Sequence, residues 1–315
     1  MTVLIEKISL HRWQWFAVPL LLIIAALIGI YHYKVDALLW HLLQTRVMQG
    51  NSLQSSLNLD NYRVKIEAKP ITGIEDDASG LTYNLETNTL FSVLNGTPLV
   101  IELDLEGNLL RKIHIDGIRD MEGITHVDGN RYVVADEYDQ RLILIEIDKD
   151  TEKLDISRAP QISLGVDAGN NKGFEGVSWD EQNNRLIVVK ERNPLRILEI
   201  TGFVDDSTTS NGLRVSQIAP SRFSAFQLRD LSSVSYHDES GHLVLLSDES
   251  RIAAEYDLEG RVVSILSLWR GFHGLQKNVP QAEGIAIGPD RRIYIVSEPN
   301  LFYAFSPEDR GVTGF

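Results

Sequence analysis

The chain contains no cysteine. Disulfide scaffolds and thiolate metal sites are therefore excluded, and the absence suits an oxidising compartment. Positive charge is also short: 30 Lys and Arg stand against 44 Asp and Glu over 315 residues, a formal net charge of −14. A protein this acidic lacks the basic face that phosphate contacts need, so nucleic acid is not expected as a partner. Wholesale disorder is excluded by an ordinary globular composition, with 43% hydrophobic and 23% charged residues. A nucleophile elbow, a phosphate loop, paired metal histidines and a kinase signature are all absent. The length allows one large domain or two ordinary ones.

One long apolar run is present. Trp15 to Tyr33 is a stretch of 19 residues without a formal charge, enough for a helix to cross a bilayer. Trp13 and Trp15 at one end, and Tyr31 and Tyr33 at the other, sit where an aromatic belt belongs. Lys7 and Arg12 precede the run and Lys34 follows it, a mild bias that keeps residues 1–14 in the cytoplasm. A cleaved signal peptide would need a small-x-small site, and Gly29-Ile30-Tyr31-His32-Tyr33 offers none. The expectation is an uncleaved transmembrane anchor over 15–33. In a Gram-negative cell this is a single pass through the inner membrane, with the C-terminal domain in the periplasm. Residues 34–60 form a juxtamembrane helix and spacer: Val35, Leu38, Leu39, Leu42 and Met48 approximate a helical stripe that Gly50-Asn51-Ser52 breaks.

From residue 61 onward the helical period gives way to short β-rich runs between turns. A phrase recurs: Asp120-Met121-Glu122-Gly123-Ile124-Thr125, Gly173-Phe174-Glu175-Gly176-Val177-Ser178 and Gln281-Ala282-Glu283-Gly284-Ile285-Ala286. Two degenerate copies begin at Asp77 and Asp230, with Ser79 and Ser232 in place of the glutamate. The aligned glycine positions (80, 123, 176, serine 233 and 284) are 43, 53, 57 and 51 residues apart, the period of a four-stranded propeller blade. A second strand follows each phrase and ends at Asn95, Glu137, Glu191, Glu249 or Glu298. Turns such as Asn95-Gly96, Asn193-Pro194 and Pro299-Asn300 come next. The fifth unit reaches only a third strand, and Tyr62-Arg63-Val64-Lys65-Ile66-Glu67 has no blade of its own. The expected fold is thus an all-β, five-bladed β-propeller over 61–315, closed by its N-terminal strand. A sixth blade would have to hide in the gaps around 150–172 or 201–229.

In a propeller the innermost strand of each blade begins on the face where the second strand ends. Two ring positions therefore converge on one channel mouth, and they bring Glu122, Glu175, Glu283, Glu137, Glu191, Glu249 and Glu298 together with Asn95, Ser79 and Ser232. So many carboxylates either take up protons or are neutralised by a cation. An oxygen-only ligand set favours Ca²⁺, with Mg²⁺ second. The alternative is solvated turn residues without an ion, with glycines that serve close backbone approach at the axis. His126 and its equivalents Tyr83, Trp179, Tyr236 and Ile287 are expected to pack between blades. His273, in the loop before the fifth phrase, is a candidate neutral base at the mouth. Asp148-Lys149-Asp150 and Asp205-Asp206 read as solvated loop charges.

The Glu-Gly-Ile/Val phrase resembles the SdiA-regulated protein family, as do the runs Pro280-Gln281-Ala282-Glu283-Gly284-Ile285-Ala286 and Ser297-Glu298-Pro299-Asn300-Leu301-Phe302-Tyr303. The resemblance covers about 61–315, and the anchor before it is similar too. It implies a five-bladed propeller distantly similar to NHL-repeat propellers, with a calcium site, and no particular activity. Because Ser79 and Ser232 depart from the phrase, the site should be asymmetric. Two functions are expected. One is a membrane-anchored binding or interaction module that presents a calcium-organised face to a periplasmic protein or small-molecule ligand. The alternative is a calcium-dependent hydrolase of an ester, lactone or phosphoester, with no catalytic residue assigned.

Overall fold

The structure is a computed structural model, and it describes residues 2–48, 56–165, 173–192, 194–204, 212–218 and 227–308, without the side chains of 2–15 and 47–48. Gly50-Asn51-Ser52, Asn193 and Asp205-Asp206 lie outside the described residues. The chain opens with α1 (Thr2–His32) and α2 (Asp36–Met48) and continues into β1 (Tyr62–Pro70).

Five blades follow. Blade 1 comprises β2 (Ala78–Asn84), β3 (Thr89–Leu94), β4 (Leu99–Leu103) and β5 (Leu109–Asp116). Blade 2 is built from β6 (Met121–Asp128), β7 (Arg131–Asp136) and β8 (Arg141–Glu146). After β8 the chain places β9 (Lys153–Asp155), which pairs in parallel with β5, and β10 (Gln161–Ser163), which completes blade 2 against β8. The gap around 150–172 therefore feeds two existing blades rather than a sixth. Blade 3 holds β11 (Phe174–Asp180), β12 (Arg185–Lys190), β13 (Arg196–Thr201) and β14 (Arg214–Gln217). Blade 4 holds β15 (Ser233–His237), β16 (His242–Ser247), β17 (Ile252–Tyr256) and β18 (Val262–Ser267). Blade 5 has β19 (Ala282–Ile287), β20 (Ile293–Ser297) and β21 (Leu301–Pro307), with β1 as its outermost strand. β1 runs antiparallel to β21, from Tyr62 opposite Pro307 to Pro70 opposite Leu301. This closes the ring as the orphan strand implied and removes two open sheet edges.

The core is divided into five layers, each between neighbouring blades, because both faces of every blade are covered. That is why strands such as Leu186-Ile187-Val188-Val189 are continuously apolar. Leu186 and Val188 pack toward blade 2, while Ile187 and Val189 pack toward blade 4. Each such side chain contributes about 1.5–3 kcal/mol by leaving water.

The apolar run lies within α1, where Phe16, Leu21, Leu22 and Ile28 are exposed. Among the described residues no single helix is long and apolar enough to cross a membrane. The pair Phe16–His32 and Asp36–Arg46, bent by 97°, meets the requirement together. α2, however, docks on the propeller. Ala37 and Leu38 are buried in the layer between blades 3 and 4. Buried His41 bonds the Ala37 carbonyl through Nδ1 at 2.7 Å and the Tyr256 hydroxyl through Nε2 at 2.5 Å. A carbonyl only accepts, so Nδ1 carries the proton and Nε2 accepts from Tyr256. Farther on, the Leu57 and Leu59 amides donate to Glu255 Oε1 and Ser264 Oγ, both at 2.9 Å, which straps the spacer along blade 4.

Candidate metal centre at one mouth of the channel

The innermost strands β2, β6, β11, β15 and β19 neighbour one another in a closed circle. In four of them the ladder to the second strand slips at the recurring phrase: between Ser79 and Leu81, Met121 and Gly123, Phe174 and Gly176, and Ala282 and Gly284. Each slip is a β-bulge that re-aims the local side chain. In blades 2, 3 and 5 the bulged residue is the glutamate of the phrase. The glycine beside it lets neighbouring inner strands touch. A Cβ on Gly176 would stand 2.9 Å from Ser233 Cα and from Val234 N, and one on Gly80 would stand 2.7 Å from the Glu122 carbonyl oxygen. The Glu-Gly pair thus couples a carboxylate aimed at the mouth to backbone contact around the axis.

Asp120, Glu122 and Glu137 form the tightest group: one oxygen from each lies within 4.8 Å of the others. Blade 1 departs from the phrase because it supplies donors to this group. Ser79 Oγ donates to Glu122 Oε2 at 2.5 Å, and Asn95 Nδ2 donates to Glu122 Oε1. Glu137 Oε1 accepts the Gly173 amide at 2.8 Å. Burial pushes the Glu122 carboxyl up to about 8, reinforced by Asp120, Glu137 and Glu298 and opposed by the Ser79 hydrogen bond. Glu175 is also held well above the usual range by burial, then by the charges of Glu122, Glu137 and Glu283. Protonated, it donates to Glu137, whose own carboxyl burial raises. Glu283 is pushed up to about 9, first by burial and then by Asp248, Glu298 and Glu122. Burial and the charges of Asp77 and Asp248 raise Glu298, which accepts from Gln281 Nε2 at 2.6 Å.

Glu191 and Glu249 are served differently. Arg192 pairs with both, at 2.9 Å to Glu249, and Lys34 reaches Glu249 at 3.5 Å. Burial raises Glu249, but these cations outweigh it and hold the carboxyl below its ordinary range. Among the described residues the mouth therefore has a side neutralised by basic residues, at blades 3 and 4, and a side of carboxyls without such partners, centred on blade 2. Asp120, which belongs to the second side, opens the recurring phrase. The matching positions hold Asp77, Gly173, Asp230 and Gln281, so an acidic preference in three of five copies was the readable signal.

One histidine expectation is corrected. His273 does not reach the mouth: its loop lies along β1, the outer edge of blade 5, where Nδ1 bonds the Tyr62 carbonyl at 2.9 Å and its own carbonyl accepts from Val64. Burial lowers its pKa, so it stays neutral as a structural link. His126, Tyr83, Trp179, Tyr236 and Ile287 contact the interblade layers in part, but all five also line a recess at the opposite end of the channel.

The oxygen-only donors of Asp120, Glu122 and Glu137 fit a hard divalent cation. Burial first, and neighbouring carboxylates second, raise the carboxyls around them. Fold and site together define a five-bladed propeller with an acidic, potentially metal-binding mouth. The family model described as SdiA-regulated matches residues 54–306, and the chain belongs to that family. Among solved structures it is similar to a luciferin-regenerating enzyme, with TM-score 0.50 and 14% identity over 80% of this chain and 97% of that one. It is also similar to a calcium-binding protein, regucalcin, from Agrobacterium tumefaciens, with TM-score 0.48 and 11% identity over 77% and 93%. A chain of a nidogen/laminin complex gives TM-score 0.46 and 14% identity over 70% and 72%. At these identities the likeness is one of fold.

Proposed function

We propose that the chain is a calcium-dependent hydrolase of an ester, lactone or phosphoester, an NHL-like propeller held at the inner membrane by α1 with the propeller in the periplasm. The observation that carries this reading is the convergence of Asp120, Glu122 and Glu137 within 4.8 Å of one another at one mouth of the channel. These residues would hold Ca²⁺, with Mg²⁺ as second choice. When bound, the ion supplies Lewis-acid polarisation of a carbonyl or phosphoryl oxygen. Ser79 and Asn95 orient the Glu122 carboxylate through its two oxygens. Burial favours the protonated form of Glu175, which can hand its proton to the leaving group, while Glu137 beside it can take the proton that the attacking water gives up and pass it back to Glu175.

A binding module is the second reading. It is favoured by the location of His273, which leaves the mouth without the neutral base expected there. The two separate in one experiment on the full chain in non-ionic detergent. Hydrolysis of p-nitrophenyl esters, lactones and phosphodiesters is followed with calcium and with chelator. Turnover that requires calcium and is lost in Glu122→Gln supports the hydrolase. Calcium binding without turnover of any of the three classes supports the module.

A further inference from the structure

The five inner strands end at the mouth opposite the carboxylates, around a recess of about 360 Å³. That volume is within the range of small-molecule pockets. Tyr83, His126, Trp179 and Tyr236 present aromatic rings to it from four successive blades, and Ile287 takes the equivalent place in the fifth. The wall is built in advance. Thr82 Oγ1, Thr125 Oγ1 and Ser178 Oγ accept the backbone amides of His126, Trp179 and Tyr236 from the next blade at 2.9, 3.0 and 2.9 Å. Three of the four rings therefore stand on backbone pinned to the neighbouring blade, which lowers the ordering cost of binding.

Among the described residues the charged groups that line this recess are acidic: Glu181, Asp238 and Glu239 stand at its edge. The nearby Arg185 bonds the Tyr236 side chain, and its charge is taken up by Asp180 at 2.6 Å and Glu199 at 2.8 Å. Burial lowers the pKa of His237, which also lines the recess, so it adds no positive charge at neutral pH. Partial burial, followed by the charges of Asp180 and Glu181, pushes Asp238 up to about 6.

We propose that this recess binds an organic cation with an apolar or aromatic body, its ammonium group set against the ring faces of Trp179, Tyr83 and Tyr236 and within the field of Glu181, Asp238 and Glu239. Aromatic faces attract ammonium groups by about 0.5–2 kcal/mol each, and Trp is the strongest of them. An anion is opposed by the three carboxylates. A neutral ligand of the same shape forgoes both attractions. The site is separate from the carboxylate mouth and independent of its metal.

The test uses the full chain in non-ionic detergent and benzyltrimethylammonium as probe, with benzyl alcohol and benzoate as neutral and anionic controls. Binding is read by tryptophan fluorescence and by calorimetry. The expected result is saturable binding at least about tenfold tighter than benzyl alcohol, unchanged by chelator, and none with benzoate. Trp179→Leu should weaken it about tenfold. If that variant does not fold, the double variant Asp238→Asn with Glu239→Gln, both exposed positions, should weaken it several-fold at low salt. Equal affinity for benzyl alcohol, no saturable binding of the ammonium probe, or undiminished affinity in a folded variant overturns the proposal.

Discussion

Glu122 shows how a single position joins fold and chemistry. It is the bulged residue of β6, its two oxygens take hydrogen bonds from blade 1, and burial holds its proton to about pH 8. Glu122→Gln keeps the shape but removes a ligand charge. We expect calcium affinity by isothermal titration calorimetry to fall at least about tenfold, since even outer partners of a metal site cost that much; unchanged affinity would place the ion elsewhere. The glycines make a second residue-scale test. Gly176→Ala sets a Cβ 2.9 Å from backbone of the next blade, and overpacking of this kind costs about 1–3 kcal/mol. Urea denaturation should show that loss, and native stability would mean that the inner strands can separate freely. The glutamates and glycines were legible because they recur in register. Arg192 and Lys34 were not, because the first stands where the other copies hold Gly96, Tyr138, Ser250 and Pro299, and the second comes from more than 200 residues away in the chain. His273 misled for the same reason: its loop follows the outer edge of blade 5 instead of crossing the mouth, a choice made by its partners on β1.

Elements differ in how openly they announce themselves. The inner and second strands carry long apolar runs because both faces are covered, and the closing role of β1 followed from a strand left without a blade. The outer strands β9, β10 and β14 have only three or four residues each, and β9 joins blade 1 in parallel although it follows blade 2 in the chain. Edges this short leave no period to read. The docking of α2 was equally hidden, since its buried side chains and the long-range His41–Tyr256 bond have no local pattern. His41→Ala removes the buried hydrogen bond that ties α2 to Tyr256, at a cost of about 0.5–1.5 kcal/mol. Hydrogen exchange should show α2 amides losing protection while blades 1 and 2 keep theirs. If α2 protection is unaffected, the helix is held by something other than this contact.

The whole molecule is polarised along the propeller axis. Lys34 meets Glu249 at the carboxylate mouth, and Arg229 holds Asp36 at 2.9 Å and the Tyr31 carbonyl at 3.2 Å. α1 thus leaves from the acidic face, and the aromatic recess occupies the other end. The acidic mouth also sets a pH dependence. Glu122 and Glu283 have folded values of about 8 and 9 against an ordinary 4.5. The folded state therefore binds protons more tightly than the unfolded state between those values. Stability is fully present below about 4.5 and is lost as pH rises through 8 to 9. The metal-free chain should melt at progressively lower temperature from pH 5 to pH 9, and calcium should flatten that decline by replacing protons. A melting temperature in chelator that does not fall over this interval contradicts the crowding of carboxyls at the mouth.

The most direct measurement is anomalous diffraction from a calcium-soaked crystal of the chain. The account predicts one peak within about 2.3–2.6 Å of carboxylate oxygens of Asp120, Glu122 and Glu137. A saturating soak that leaves those three carboxylates without a peak, or sets the ion among other residues, would contradict it.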